Sequence, residues 1–157
     1  MESRARWVLL AYRLPREPST PRIALWRRLR RLGAAQVMDG LVALPLDARN
    51  REQLEWLADQ VREASGEASI WLGSLTSRRQ ERALVERMAA AIEGEYRQLI
   101  ARASSDVPST PAARRLAVRR LRGELRAIRM RDYFPGTVTK QAQVAVDRVA
   151  AMAEVAS

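Results

Sequence analysis

The hydrophobic positions of the first 75 residues predict short strands that alternate with amphipathic helices. The apolar run 7–14 has the length and the aromatic and branched content of a buried strand. The segment that follows carries leucines at helical spacing, and Thr20 is predicted as its N-cap, Pro21 as its first residue and Gly33 as its end. The chain is therefore predicted to open with a strand followed by a helix.

A hairpin, a second helix and a fourth strand are predicted next. Two short apolar runs flank Asp39-Gly40, a pair that is preferred in type I′ hairpin turns. A capping-box-like start at Asn50 opens an amphipathic helix, and residues 68–72 have the pattern of a strand. The order strand, helix, strand, strand, helix, strand predicts a ferredoxin-like βαββαβ unit and places the chain in the α+β class.

After residue 75 the pattern becomes helical throughout. A capping-box-like start at Ser77 opens a long predicted helix, and Thr110 with Pro111 marks the start of a third helix beyond a polar linker. An alanine- and valine-rich helix is predicted last, over about 139–153. We therefore predict two parts, a ferredoxin-like βαββαβ domain over 1–75 and an extension of three α-helices over 76–157.

The composition excludes several kinds of chemistry. The sequence has no cysteine and no histidine, which rules out disulfides, thiolate nucleophiles, Cys/His zinc sites and a histidine general base. Lys140 is the only lysine beside 27 arginines, so a P-loop or Schiff-base lysine is not expected. Asp39 fits a turn residue better than a catalytic carboxylate or a metal ligand. We predict that the protein is not an enzyme and has no catalytic residue, metal or cofactor.

Two observations bear on the cellular location. No segment approaches the 18 consecutive apolar residues of a membrane span, so no membrane partner is predicted. The first residues, Met1 to Arg4, are too charged to begin a signal peptide. Together with the absence of cysteine, this favours a cytoplasmic location.

The positive charge is concentrated in one predicted helix. The formal net charge of the chain is +10, and the segment 112–131 alone carries a net +7, with Glu124 as its one acidic residue. The arginines of this segment are Arg114, Arg115, Arg119, Arg120, Arg122, Arg126, Arg129 and Arg131. An apolar line within the same segment, which ends at Ile128, predicts that one side of the helix is buried.

Five of these arginines recur three or four positions apart and so lie on one side of the helix. We call Arg115, Arg119, Arg122, Arg126 and Arg129 the arginine stripe. Like charges at this spacing oppose helix formation, which favours an anionic partner. DNA phosphates would be attracted to the stripe, and arginine can also bind a guanine edge bidentately. The alternative is a solvated face whose arginine stems cover apolar surface.

A second basic cluster lies on the first predicted helix. Arg27, Arg28, Arg30 and Arg31 surround its leucines, and they are further candidates for DNA binding or for a solvated face. The aromatic residues favour packing instead. Trp7, Trp26, Trp56 and Trp71 fall on two strands and two helices, a distribution that predicts one shared core. The cluster that begins at Tyr133-Phe134 favours a helix corner over a base-stacking contact.

An ordered series of motifs runs along most of the chain. The series is Trp7-Val-Leu-Leu-Ala-Tyr-Arg-Leu-Pro-Arg-Glu-Pro-Ser-Thr-Pro-Arg22, Trp26-Arg27, Leu32-Gly33-Ala34, Asp39-Gly40, Leu44-Pro45, Glu52-Gln-Leu-Glu-Trp-Leu57, Gly66-Glu-Ala68 and Ile128-Arg-Met-Arg-Asp-Tyr-Phe134. It resembles the N-terminal domain of the ChrB chromate-resistance regulators. The resemblance implies a cytoplasmic transcriptional regulator of a chromate-resistance operon whose binding to promoter DNA responds to chromate. Longer family members carry a further C-terminal domain, which we do not expect within these 157 residues.

The βαββαβ half also resembles the ferredoxin-like domain of PaaX-type repressors and of small CRISPR-associated adaptation nucleases. Those nucleases carry a carboxylate after a tyrosine at the end of the first strand. Here Tyr12 is followed by Arg13, so the resemblance supports the fold and argues against nuclease activity.

The leading hypothesis is a DNA-binding regulator whose ferredoxin-like half pairs into a homodimer and whose arginines contact double-stranded promoter DNA. Chromate, a tetrahedral dianion, is the expected effector, and the helix starts at Thr20 and Thr110 are two candidate pockets between which the sequence does not choose. One alternative is a protein-interaction or oligomerisation module without DNA binding. A weaker alternative is a metal-dependent nuclease on the same fold.

Overall fold

The computed structural model describes residues 6–105 and 107–155, and the predicted absence of a signal peptide concerns residues outside this range. The elements are β1 Trp7–Arg13, α1 Thr20–Leu32, β2 Ala35–Met38, β3 Leu41–Pro45, α2 Ala48–Glu63, β4 Glu67–Gly73, α3 Arg78–Ser105, α4 Pro111–Met130 and α5 Thr137–Val155. The chain divides into two compact units, unit 1 up to Leu84 and unit 2 from Val85 onward. The division falls within α3.

The four strands of unit 1 form one sheet in the order β2-β3-β1-β4. Every neighbouring pair is antiparallel, and β1 lies between β3 and β4, so that Leu9 is opposite Ala43 on one side and Trp71 on the other. In this order β3 lies between β1 and β2, which α1 connects, and β1 lies between β3 and β4, which α2 connects. The α+β prediction, with a βαββαβ unit followed by helices, is confirmed.

The helices of unit 1 cover one face of this sheet. Val8 and Leu10 of β1 share that face with their partners Leu44 and Val42, and all four are buried. Side chains alternate along a strand, so Leu9 lies on the opposite face, where it is only partly buried. Helix α2 packs against β1 and β4 through an apolar stripe of Leu54, Leu57, Ala58 and Val61.

The β2–β3 hairpin turns at Asp39-Gly40, as predicted, but it is not a type I′ turn. A type I′ turn requires positive φ at both central residues. Gly40 has φ 75°, but Asp39 does not have a positive φ, since Ser65 is the one non-glycine residue with positive φ in the described chain. Next to this turn, the register of the β2–β3 pair shifts between Gln36 and Met38. Gly40 is required here, because a Cβ would lie 2.6 Å from the carbonyl oxygen of Tyr12.

Two predicted helix starts were wrong by one to three residues. Ser19, and not Thr20, is the N-cap of α1, and its side chain makes no capping hydrogen bond. Helix α2 is capped by Asp47, whose carboxylate accepts from the backbone N–H of Asn50 at 2.7 Å. Asn50 is buried inside the first turn, where its amide donates to the carbonyl of Pro45 at 2.9 Å. Helix α2 therefore begins three residues earlier than predicted, and Asn50 is its third residue instead of its cap.

Three other predicted helix ends are confirmed, whereas α5 runs over Thr137–Val155 and exceeds the predicted 139–153 by two residues at each end. Thr110 caps α4 and accepts from the N–H of Ala113 at 3.3 Å, and Pro111 is the first helical residue. Gly33 ends α1 with φ 75° in the left-handed conformation. Ser77 precedes α3 and accepts from the N–H of Gln80 at 3.3 Å. No helix within residues 6–105 and 107–155 is long and apolar enough to cross a membrane.

The three helices of unit 2 share one hydrophobic core. Tyr96 and Leu99 of α3 are fully buried there, together with apolar lines of α4 and α5. The Tyr96 hydroxyl donates to the carboxylate of Asp132 at 2.9 Å, and the Thr139 hydroxyl donates to the same oxygen at 3.1 Å. Half-buried Tyr133 follows Asp132 in the α4–α5 corner, as predicted. This polar cluster links α3, the corner and α5.

Tyr96→Phe should lower the stability of unit 2 by about 2 kcal/mol, because it removes a hydrogen bond to a charged group in a buried site. Burial, followed by the hydrogen bond to Asp132, raises the pKa of Tyr96 to about 12. The unfolded chain loses this proton near pH 10, so the stability should fall between pH 10 and 12. Urea unfolding across that range measures both effects, and the pH dependence should be weaker in Tyr96→Phe. Asp132→Asn, which keeps an acceptor oxygen, should cost less, and equal losses would contradict this account.

Candidate nucleic-acid interface

An apolar line holds α4 in unit 2 and thereby orients its arginines. Val118, Leu121, Leu125 and Ile128 are buried against the core, at most 8% exposed. They recur at helical spacing, so one side of α4 is committed to packing. The remaining sides carry the charged residues.

Four members of the arginine stripe line one groove between α4 and α5. The groove has a volume of about 560 Å³, and its charged wall consists of Arg115, Arg119, Arg122 and Arg126. Its other lining residues are Val118, Gly123, Ala150, Ala153 and Glu154. A Cβ at Gly123 would meet nothing within 4 Å, so the groove is open at this position. The result is a basic wall beside a floor of small apolar residues.

The charges of this wall are not compensated. Within the described residues, none of the four arginines makes a hydrogen bond or an ion pair. Glu154 lines the same groove, but it makes no ion pair with them. Elsewhere arginines do find carboxylates, as Arg102 does with Glu124. Four exposed guanidinium groups on one helix side are therefore available to an anion from outside the chain.

The other predicted arginines of α4 are placed differently. Arg114 turns back and donates to the carbonyls of Pro108, at 2.7 Å, and Ser109, at 3.3 Å. Arg131 pairs with Glu95 and donates to a backbone carbonyl of its own helix. Arg120 and Arg129 are exposed and do not line the groove. Two of the eight arginines in this segment therefore serve the fold directly.

The basic cluster of α1 lies in unit 1, and two of its members stack on tryptophans. The Arg28 guanidinium lies 4.2 Å from the ring centroid of Trp56, and that of Arg30 lies 4.9 Å from the ring of Trp26. Such cation–π contacts orient a guanidinium while its N–H groups remain free to donate. Arg27 and Arg31 are exposed.

The prediction of a shared tryptophan core was wrong for three of the four residues. Trp7 is 4% exposed, but Trp26, Trp56 and Trp71 are 54, 43 and 61% exposed. Trp26 and Trp56 lie beside the buried stripes of their helices, and each has one arginine guanidinium stacked on its ring. Trp71 lies on the sheet face opposite the helices, because it pairs with Leu9. The prediction relied on tryptophan being apolar. The burial of each tryptophan depends instead on which side of its helix or strand it occupies.

The two candidate oxyanion pockets lie at helix starts that are built differently. Thr20 is the first residue of α1 and does not cap it. At α4 the Thr110 hydroxyl is occupied by the N–H of Ala113, and the Arg114 side chain is used within the same turn. In the described part of the chain, no group of three or more acidic side chains is placed to hold a metal ion.

The sequence did not identify the residues of α5 that line the groove. Ala150 and Ala153 of α5 lie three residues apart, and both are buried at the groove floor. Small residues at helical spacing were the available signal, since they allow close approach of a neighbouring helix. Which helix they would face was not decided by the pattern.

The chain thus combines a ferredoxin-like unit with a helical unit that carries a basic groove, and its sequence is similar to that of known proteins. Residues 22–105 match the family model for the N-terminal part of protein ChrB. Protein ChrB of Cupriavidus metallidurans is 32% identical over 144 residues, which cover 88% of this chain and 43% of that protein. The chain belongs to the ChrB family, which is associated with chromate resistance. It spans less than half of this curated relative. No solved structure matches it.

Repulsion among the unpaired arginines should lower the stability of α4. Arg119→Gln removes the repulsion between the charge at position 119 and those of Arg115 and Arg122. It should therefore raise the stability of unit 2 by about 0.5 kcal/mol at low salt. The gain should vanish near 1 M salt, where the screening length is about 3 Å. Denaturant unfolding at both salt concentrations measures this.

The matched control is Arg114→Gln, which changes the charge equally on the same helix. It should instead lower stability by about 1 kcal/mol, because it leaves two carbonyls without their donor. If Arg119→Gln were destabilising at low salt, the stripe would have a structural role.

Proposed function

We propose that the chain is a DNA-binding transcriptional regulator of a chromate-resistance operon that acts as a homodimer in the cytoplasm. The observation that carries the proposal is the set of unpaired arginines along the α4–α5 groove. Such a cluster destabilises an isolated helix, whereas phosphate groups would neutralise it. Membership of the ChrB family supports the link to chromate resistance.

The length of the stripe suits several phosphate contacts at once. From Arg115 to Arg126 the helix rises by roughly 16 Å, at about 1.5 Å per residue. Each strand of B-DNA presents one phosphate for about every 3.4 Å of its axis, so several phosphates lie within this span. Contacts of this kind set position and affinity. Sequence preference requires that some guanidinium groups reach base edges, where arginine binds guanine bidentately.

Chromate is the proposed effector. It is an oxyanion like phosphate, and guanidinium groups bind both by charge-assisted hydrogen bonds. Without cysteine, the chain has no thiol that chromate would oxidise, so the proposed response is recognition of the anion. The proposal assigns no particular residue to chromate.

The substitution of Arg119, Arg122 and Arg126 by Gln should weaken DNA binding and its salt dependence together. The dependence of log K on log salt should become shallower by about 3, since each lost phosphate contact removes roughly 0.9. Fluorescence anisotropy with a promoter duplex and a random duplex, each at low and at moderate salt, measures both quantities.

The matched control replaces Arg78, Arg79 and Arg82 by Gln, which removes the same charge from exposed positions at the start of α3. Its salt dependence should stay that of the parent chain. Equal effects of the two triple variants would show that binding is diffuse and not due to the stripe. Equal affinity of the parent chain for promoter and random duplex would contradict specific regulation.

Chromate should release the promoter duplex at concentrations at which sulfate does not. The same anisotropy assay, titrated with either anion at constant ionic strength, separates a specific response from screening. Release by both anions at equal concentration would contradict the chromate response but leave DNA binding intact.

A further inference from the structure

The α4–α5 groove of unit 2 combines charged and apolar surfaces. One wall is formed by the groove arginines, which are Arg115, Arg119, Arg122 and Arg126. They have no partner among the described residues. The floor consists of the buried residues Val118, Ala150 and Ala153, and α5 adds the exposed carboxylate of Glu154. A ligand that fills the groove therefore meets positive charge, apolar surface and one negative charge.

Gly123 lies inside α4, where its own structure does not require glycine. It is not among the residues with positive φ in the described chain, and a Cβ there would meet nothing within 4 Å. A glycine in a helix interior costs about 1 kcal/mol relative to alanine. Gly123 also lines the groove, so it allows a partner to approach the backbone of α4 closely. Gly94 of α3 is equally open but does not line the groove, so the position beside the arginines distinguishes Gly123.

The spacing of the groove arginines matches that of side chains on another helix. The four residues follow one another at intervals of four, three and four positions, over roughly 16 Å of helix. Carboxylates at the same intervals lie along one side of an α-helix. A helix laid along α4 would therefore place one carboxylate near each guanidinium group, as charged residues do between the strands of a coiled coil. Such charge-assisted pairs can be bidentate.

The other lining residues favour a helix over a nucleic acid as the occupant of the groove itself. Two helices pack about 8–10 Å apart, depending on the side chains at the contact, and Gly123, Ala150 and Ala153 are small. Small apolar side chains of a partner helix would bury this floor. A duplex has no such side chains to offer, and Glu154 would repel its phosphates. The arginines attract either ligand, whereas the floor and Glu154 fit the helix better.

We propose that the α4–α5 groove binds an amphipathic helix of another protein, with acidic side chains facing α4 and small apolar side chains facing the floor. This is the helix-in-groove mode of recognition. The charge of the partner is complementary to the unpaired arginines and to the net charge of +10. The partner would use the arginines assigned above to phosphates and so displace DNA; this regulatory consequence rests on the proposed function, whereas the helix binding does not.

A synthetic peptide without DNA measures the binding directly. The probe is a fluorescein-labelled peptide of about 20 residues, long enough to form a helix, with glutamates at intervals of four, three and four and alanines and leucines beside them. In anisotropy titrations it should bind the 157-residue chain at least about 10-fold more tightly than a peptide of scrambled order. The two peptides have the same charge, so equal affinities would show diffuse attraction and overturn the proposal.

Gly123→Leu tests the groove itself. It places a side chain in open space within the groove and should weaken peptide binding at least about 10-fold. The matched control is Gly94→Leu, the same substitution at an open helical glycine outside the groove, and it should bind as the parent chain does. Circular dichroism verifies that both variants are folded. Unchanged peptide affinity in Gly123→Leu would overturn the proposal.

The failure of this proposal is distinguishable from the failure of the proposed function. Peptide binding by a chain that does not bind DNA would support the helix site and contradict the DNA-binding regulator. DNA binding by a chain that does not distinguish the two peptides would do the reverse. Where both ligands bind, the ordered peptide should release the promoter duplex at concentrations at which the scrambled peptide does not.

Discussion

The burial of one apolar line holds the charged helix of this protein in place. Val118, Leu121, Leu125 and Ile128 are all buried in the core of unit 2. Each buried aliphatic side chain contributes about 1.5–3 kcal/mol, whereas a like-charge pair on a helix costs about 0.2–0.5 kcal/mol. Packing therefore exceeds the repulsion among the arginines by a wide margin. Unit 2 can fold with unpaired positive charges on α4 because the free energy of core packing exceeds the cost of their repulsion.

The arginines of this chain have at least three physical roles, and their neighbours decide which. Arg114 and Arg131 are tied to backbone carbonyls and act as structural donors. Arg28 and Arg30 shield exposed tryptophan rings. The stripe residues that line the α4–α5 groove have no partner among the described residues. Net charge alone would have treated all of these residues as equivalent, although only the last group lines the α4–α5 groove.

The two faces of the sheet differ in how deeply their side chains are buried. Val8 and Leu10 are fully buried under the helices, while Leu9 and its partner Trp71 face the other way. A four-stranded sheet with helices on one side leaves apolar strand positions on the other side uncovered. In this protein Leu9 is therefore only partly buried, and Trp71 is 61% exposed.

The sequence by itself determined the order of elements, most helix ends and the location of the charge, because these depend on local periodicity and on capping residues such as Thr110 and Gly33. It missed the Asp47 cap and placed three exposed tryptophans in the core. Tertiary structure alone decided which arginines are unpaired, which α5 alanines complete the groove, and which way Trp71 points. These properties depend on strand register and helix rotation, which bring together residues distant in sequence and which no local pattern specifies.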